Sequence, residues 1–190
     1  RNLEIYDDLF KNRDTLCISQ GQLVENVIRE AEKAYKGGEQ PDNILLTAPT
    51  GAGKSLLFQL PAIYLGKEYN LLTIVVSPLK ALIVDQVESL QELGYARVAY
   101  ASSDLSPEQK MEVYRQVREG EIDLFYLSPE LLLSYDIKHF VGERRIGLAV
   151  VDEAHTVTTW GKEFRVDYWF LGRYLTALKQ TLGYISRCLH

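Results

Sequence analysis

The sequence predicts an α/β domain, a mostly parallel sheet with helices on both faces. Short apolar runs of strand length alternate with stretches whose apolar residues recur at helical spacing, the pattern of strands linked by crossover helices. The strand runs are continuously apolar, as in strands buried on both faces. In chain order, Val24–Tyr35 reads as an opening helix, and Gly37-Gly38-Glu39-Gln40-Pro41-Asp42 as a loop leading into the first core strand. Strands are predicted over Asn43–Thr47, Leu71–Ser77, Arg97–Tyr100, Asp123–Leu127 and Gly147–Val151, each short, often β-branched and bounded by polar residues, Gly or Pro. Helices are predicted over Lys54–Gly66, Leu79–Leu93 and Ser106–Arg118, the last opened by Ser106 as N-cap with Pro107 at the first helical position. Tyr168–Leu178 reads as a further flanking helix. Five strands suffice for one open sheet.

Composition bounds the function. With 46% hydrophobic and 25% charged residues over 190 positions, the chain can bury one sizeable core, which excludes disordered and fibrous classes. Lys and Arg number 21 against 26 Asp and Glu, a formal charge of -5, so the domain is no cationic clamp and any polyanion must meet a local patch. Cys17 and Cys188 stand at opposite ends, neither with a second Cys nearby, which argues against a disulfide framework or zinc knuckle and fits reduced thiols inside a cell. No apolar run approaches the roughly 20 residues of a bilayer span, so a cytosolic or nucleoid-associated protein is expected. The first residue is Arg1, and Tyr184–His190 reads as the start of a new element, so the chain is expected to be a piece of something longer.

The most informative stretch follows the first core strand. Ala48-Pro49-Thr50-Gly51-Ala52-Gly53-Lys54-Ser55 runs from strand to helix, the context of a phosphate-binding loop. Gly51 and Gly53 let backbone N–H groups turn inward around a phosphate, with Thr50 and Ala52 completing the cradle. Lys54 can reach the outer phosphate oxygens, and the Ser55 hydroxyl can bind Mg²⁺. Such a loop needs a carboxylate at a neighbouring strand end and a base for the attacking water. Leu148-Ala149-Val150-Val151-Asp152-Glu153-Ala154-His155 supplies both: Asp152 to hold Mg²⁺ through water, Glu153 as general base, His155 to sense the nucleotide.

Together these motifs resemble the first motor domain of superfamily 2 helicases, whose DEAH box Asp152-Glu153-Ala154-His155 matches. More narrowly, Trp160-Gly161-Lys162-Glu163-Phe164-Arg165-Val166-Asp167-Tyr168 is similar to the aromatic-rich loop of the RecQ family. Ser77-Pro78-Leu79-Lys80-Ala81-Leu82 with Asp85-Gln86-Val87 resembles that family's motif Ia, and Tyr126-Leu127-Ser128-Pro129-Glu130 its motif Ib. Ile18-Ser19-Gln20-Gly21-Gln22 takes the place of the family's Phe-Arg-x-x-Gln element, with Ser for Arg, and makes Gln22 the adenine reader.

The resemblance implies a RecA-like P-loop NTPase fold, with residues 1–190 forming one ATP-binding motor domain. It further implies an ATP- and Mg²⁺-dependent DNA helicase translocating 3′ to 5′. The partners implied are single-stranded and duplex DNA and a second motor domain of the same polypeptide, which brings an arginine finger and lies outside this chain. Ser77, Lys80 and Ser128 would then hold DNA phosphates at the carboxyl edge of the sheet, with Trp160, Phe164 and Arg165 engaging the strand beside Glu153. Two alternatives share the motifs: a superfamily 2 translocase that remodels duplex DNA in a defence or restriction system, and a nucleotide-gated DNA-binding module.

Overall fold

A computed structural model describes residues 2–5, 16–37, 42–46, 51–153 and 186–189. Strands β1 (Asn2–Ile5) and β2 (Leu16–Ser19) form a small antiparallel ladder that leads directly into α1 (Gln20–Lys36). The main sheet holds β3 (Asn43–Leu45), β4 (Leu72–Val76), β5 (Val98–Ala101), β6 (Leu124–Leu127), β7 (Ile146–Val151) and β8 (Ser186–Leu189). All pairings within it are parallel, in the order β3-β8-β7-β4-β6-β5. The connecting helices are α2 (Leu56–Tyr69), α3 (Lys80–Glu92), α4 (Pro107–Arg118), α5 (Pro129–Ser134) and α6 (Ile137–Val141).

The α/β class is as expected, and side-chain alternation explains the layering. In β4, β6 and β7, Leu72, Ile74, Val76, Phe125, Leu127, Ala149 and Val151 pack on one face with Tyr114, Val117, Leu132, Ile137 and Phe140 of α4 to α6. On the opposite face Val75, Leu124, Tyr126, Leu148 and Val150 pack with Val27 and Ala31 of α1, Phe58, Ala62 and Leu65 of α2, and Ile83, Val87 and Leu90 of α3. Burying each of the larger aliphatic side chains is worth about 1.5–3 kcal/mol, so these central strands carry most of the cohesion.

The elements differ in places from the sequence reading. Helix α1 begins at Gln20 rather than Val24, because Ser19 and Gln22 form a reciprocal capping box that satisfies the first N–H groups. Helix α2 begins at Leu56, since Lys54 and Ser55 still belong to the turn. The sheet has six strands rather than five, because Ser186–Leu189 inserts as β8 between β3 and β7. Strand β7 also starts a residue earlier than expected. Its register against β4 shifts at Gly147, where a Cβ would come within 2.9 Å of Leu71. The expected helix Tyr168–Leu178 lies outside the described residues. Among the described residues no helix is long and apolar enough to cross a membrane.

The amino edge of the sheet is fastened by one buried carboxylate. Asp123, fully buried ahead of β6, accepts from Arg97 Nε at 2.6 Å and Nη2 at 2.8 Å, from Arg144 Nη2 at 2.9 Å and from the Tyr95 hydroxyl at 3.1 Å. Arg144 is itself 5% exposed and donates onward to the carbonyls of Val117 and Ile122 and to Asn70 Oδ1. Burial pulls the Arg144 pKa down, whereas its hydrogen bond to Asp123 holds Arg97 up. Segments entering β4, β5, β6 and β7 thus meet at one charge cluster, where loss of one member strands the others in low dielectric.

Gly66 of α2 lies against this cluster, and a Cβ there would overlap the Asp123 side chain, which cannot move without breaking the cluster. Gly66→Ala is expected to destabilise the domain by about 1–3 kcal/mol through overpacking, despite the better helix propensity of Ala. A lowered urea midpoint at unchanged slope is the expected readout; an equal or higher midpoint would contradict the rigid-cluster account.

Candidate functional site

The carboxyl edge is built differently. Strands β4, β5, β6 and β7 are each followed at once by a buried polar residue: Ser77, Ser102, Ser128 and Asp152. Parallel pairing brings these four ends to one edge, where ligands of open α/β sheets bind. Leu45 of β3 and Val151 of β7 both stand opposite Leu189 of β8. Strands β3 and β7, which precede the phosphate loop and Asp152, therefore end at the same level, two strand spacings or about 10 Å apart.

Among the described residues of the loop, Gly51 and Gly53 have φ of 78° and 76°. This is the left-handed region in which Gly alone carries no penalty, and it turns backbone N–H groups into the concavity. The loop winds straight into α2 through Leu56 N–H to the Gly53 carbonyl at 3.2 Å and Leu57 N–H to the Lys54 carbonyl at 2.9 Å. Ala52 is buried, whereas Lys54 and Ser55 are half-buried. Ser55 holds the N-cap position in helical conformation without a side-chain cap bond, so its hydroxyl is not spent on the helix. Thr50 lies outside the described residues.

Asp152 is 2% exposed, and its N–H extends the ladder by donating to the Val76 carbonyl at 2.9 Å. Its Oδ1 accepts the Glu153 N–H at 2.9 Å and its Oδ2 the Gln86 amide at 3.5 Å. Glu153 is half-buried with φ of 53°, a strained conformation for a residue with a Cβ, costing about 1–2 kcal/mol. That turn takes Glu153 out of the strand direction directly beside Asp152. Among the described residues no three His, Cys, Asp or Glu side chains gather into a metal cage. A single buried carboxylate at a strand end suits Mg²⁺, which keeps waters and substrate phosphates as most of its ligands.

One residue missed from sequence bears on the loop. The Gln20 side chain donates to the Ala52 carbonyl at 2.7 Å, fastening the start of α1 onto the loop. Gln22, the residue expected to read adenine, has its Oε1 accepting from the Ser19 N–H at 2.9 Å and the Ser19 hydroxyl at 3.1 Å. The same serine that departs from the family pattern thus engages Gln22 in the capping box. Deeper in the domain, Gln59 and Tyr126 join Gln86 behind Asp152, and burial pushes the Tyr126 phenol well above its usual pKa.

The strand-facing residues divide. Lys80 is exposed and its ammonium donates to Asp104 Oδ1 at 2.9 Å and to the Ser103 hydroxyl, which holds the Asp104 carboxyl below its usual pKa. Ser77 and Ser128, expected beside a DNA strand, are 1% and 4% exposed. Ser128 Oγ instead caps α5 by accepting the Leu131 N–H, and the Ser77 hydroxyl is shut away from solvent. His155, Trp160, Phe164 and Arg165 lie outside the described residues.

Comparison with known proteins gives the family. The DEAD/DEAH box helicase model matches residues 25–184, and the chain belongs to that family. Among curated relatives, the ATP-dependent DNA helicase RecQ of Synechocystis sp. is 42% identical over 141 residues, 73% of this chain and 28% of that protein. RecQ of Bacillus subtilis is 37% identical over 130 residues, 68% of this chain and 21% of its own length. The chain thus spans under a third of either relative. The crystal structure of the DUF1998 helicase MrfA bound to DNA and AMPPNP superposes with a TM-score of 0.64 at 19% identity, covering 100% of this chain and 27% of that one, and supports the fold.

Gly51 and Gly53 separate two effects. Ala at either forces a left-handed side chain at about 1–2 kcal/mol, but only at Gly53 does the new Cβ fall within 2.7 Å of the Gln20 amide that holds the loop. Gly53→Ala is expected to weaken binding of a fluorescent ATP analogue more than Gly51→Ala, and equal losses would remove Gln20 from the account.

Proposed function

We propose that this chain is the nucleotide-binding motor domain of a RecQ-type ATP-dependent DNA helicase, which couples ATP hydrolysis to movement along single-stranded DNA and to duplex unwinding. The observation that supports it most is the shared level at which β3 and β7, the strands that precede the phosphate loop and Asp152, end, with Lys80 on the same edge. The names of its relatives point the same way.

In this reading Thr50, Gly51, Ala52 and Gly53 cradle the phosphates with their backbone, and Lys54 brings its charge to the β and γ oxygens. Ser55 directly and Asp152 through water hold Mg²⁺, which when bound neutralises charge developing on the transferred phosphoryl group. Glu153 takes the proton of the attacking water, and His155 follows close in the chain. The second motor domain supplies the arginine finger, typically worth about 10³–10⁵ in rate, so this domain alone binds ATP and turns it over slowly. Gln22 reads adenine only after its carbonyl leaves Ser19. DNA phosphates take Lys80 from Asp104 and meet backbone amides near Ser77 and Ser128, while Trp160, Phe164 and Arg165 engage the strand.

The test is ATP hydrolysis by the full-length protein with and without single-stranded DNA, RNA or duplex DNA. Single-stranded DNA is expected to stimulate most, and Lys54→Ala to abolish turnover. Glu153→Gln is expected to bind ATP while losing at least about 10² in kcat. Stimulation by duplex alone would favour a translocase, and binding without stimulation a nucleotide-gated module. Removing the Lys80 charge, Lys80→Ala, is expected to lower the salt dependence of single-strand affinity by about 0.7 in log–log slope, whereas Asp104→Asn should raise affinity at low salt. Unchanged slope and affinity in both would take Lys80 out of the strand path.

A further inference from the structure

We infer that Gln86 is a positioning residue: it sets the orientation of the Asp152 carboxylate and, through α3, ties the strand-facing turn at Lys80 to the Mg²⁺ side of the nucleotide site. This rests on the ATP-driven reading above.

The direction of one amide carries the inference. Gln86 Oε1 accepts the Tyr126 hydroxyl at 2.9 Å and faces Gln59 Nε2 at 3.5 Å. Gln59 Nε2 in turn donates to the Tyr126 oxygen at 3.2 Å, which leaves the phenol proton for Gln86. A primary amide has its acceptor at one end and its donors at the other. With two donors converging on Oε1, the Gln86 amino group must face away from them, and there it meets Asp152 Oδ2 at 3.5 Å. The other carboxylate oxygen is held by the Glu153 N–H. Each oxygen of Asp152 therefore meets a donor.

The chain is sheltered, since Tyr126 is fully buried, Gln59 8% exposed and Gln86 half-buried, so water competes little for its bonds. It also links the phosphate-loop end of α2 to α3. Gln59 sits one turn beyond Ser55, its N–H on the Ser55 carbonyl at 2.9 Å. Gln86 lies six residues along α3 from Lys80, about 9 Å up the same rigid rod. A contact of 3.5 Å is at the long limit of hydrogen bonding, where a shift of α3 by a fraction of an ångström decides whether the bond is made. Seating phosphate on Lys80 in place of Asp104 moves the end of that rod, and Gln86 transmits the movement to Asp152.

The experiment uses the full-length protein with Gln86→Ala, Gln86→Glu and Tyr126→Phe, each first checked for an unchanged thermal midpoint. Fluorescent-nucleotide binding is titrated with Mg²⁺ and repeated in EDTA, and ATP turnover is measured with and without single-stranded DNA. Gln86→Ala is expected to raise the Mg²⁺ midpoint and cut the stimulated-to-basal ratio by about tenfold each, as losing a partner of a metal-holding group does, with binding in EDTA unchanged. Gln86→Glu sets a second carboxylate against Asp152 and should exceed this. Tyr126→Phe removes the donor that orients the amide and should give a smaller effect in the same direction. Wild-type Mg²⁺ midpoints and stimulation ratios in both folded Gln86 variants would overturn the inference. If the wild-type protein is stimulated by no polymer, the helicase reading fails, while a shifted Mg²⁺ midpoint still supports Gln86 as the residue that orients Asp152.

Discussion

The candidate site depends on the parallel pairing of β4 with β7. It runs from Thr73 opposite Leu148 to Val76 opposite Val151, and continues one bond further through the Asp152 N–H to the Val76 carbonyl. That last bond fixes the backbone of Asp152 against the strand that leads into Ser77 and Lys80. A one-residue slip would exchange the faces of every side chain in β7, sending Val150 and Leu148 to the wrong core and Asp152 out of reach of Gln86. Because both faces are close-packed, that slip is not available, and the functional carboxylate inherits its position from the burial of its neighbours.

The two edges of the sheet divide the work. The amino edge holds Asp123 with Arg97, Arg144 and Tyr95, a set in which every charge has a partner and each entering segment is fastened. The carboxyl edge holds residues in less settled states: Glu153 and two glycines at positive φ, a lysine paired with an exposed aspartate, and a carboxylate whose third contact is long. Strain and loose contacts tolerated at one edge are compensated by packing and ion pairing at the other. A site that must exchange phosphates needs groups that can change partners, and the fold confines them to one edge.

Much of this was legible in the sequence because it is local. Continuous apolar runs located β4, β6 and β7, and the two glycines ahead of Lys54-Ser55 defined the loop without tertiary information. Pairings between distant residues were not legible. Tyr126 reads as one more apolar strand residue, yet its hydroxyl joins side chains 40 and 67 positions away. Gln20 and Gln22 both read as polar residues ahead of a helix starting at Val24, and only the capping box decides that Gln22 turns back to Ser19 while Gln20 reaches the loop. Ser77 and Ser128 were expected at the surface because hydroxyls at strand ends suit phosphate. Their burial follows from neighbours that no local pattern shows: a cap to be filled for Ser128, and the β4–β6 ladder, where the Ser77 N–H donates to the Leu127 carbonyl.

Burial of those two hydroxyls changes what the carboxyl edge can do with a polyanion. With Ser77 and Ser128 turned away, Lys80 is the strand-facing cation on this edge among the residues expected there and described, and Asp104 already neutralises it. A domain of formal charge -5 that keeps its strand-facing lysine paired has little standing attraction for nucleic acid. A phosphate must displace a carboxylate, which lowers net affinity and makes the outcome sensitive to small movements of α3. In the proposed reading, weak, exchangeable contact suits a motor, which must release each phosphate it holds, and the same exchange would move the helix that carries Gln86.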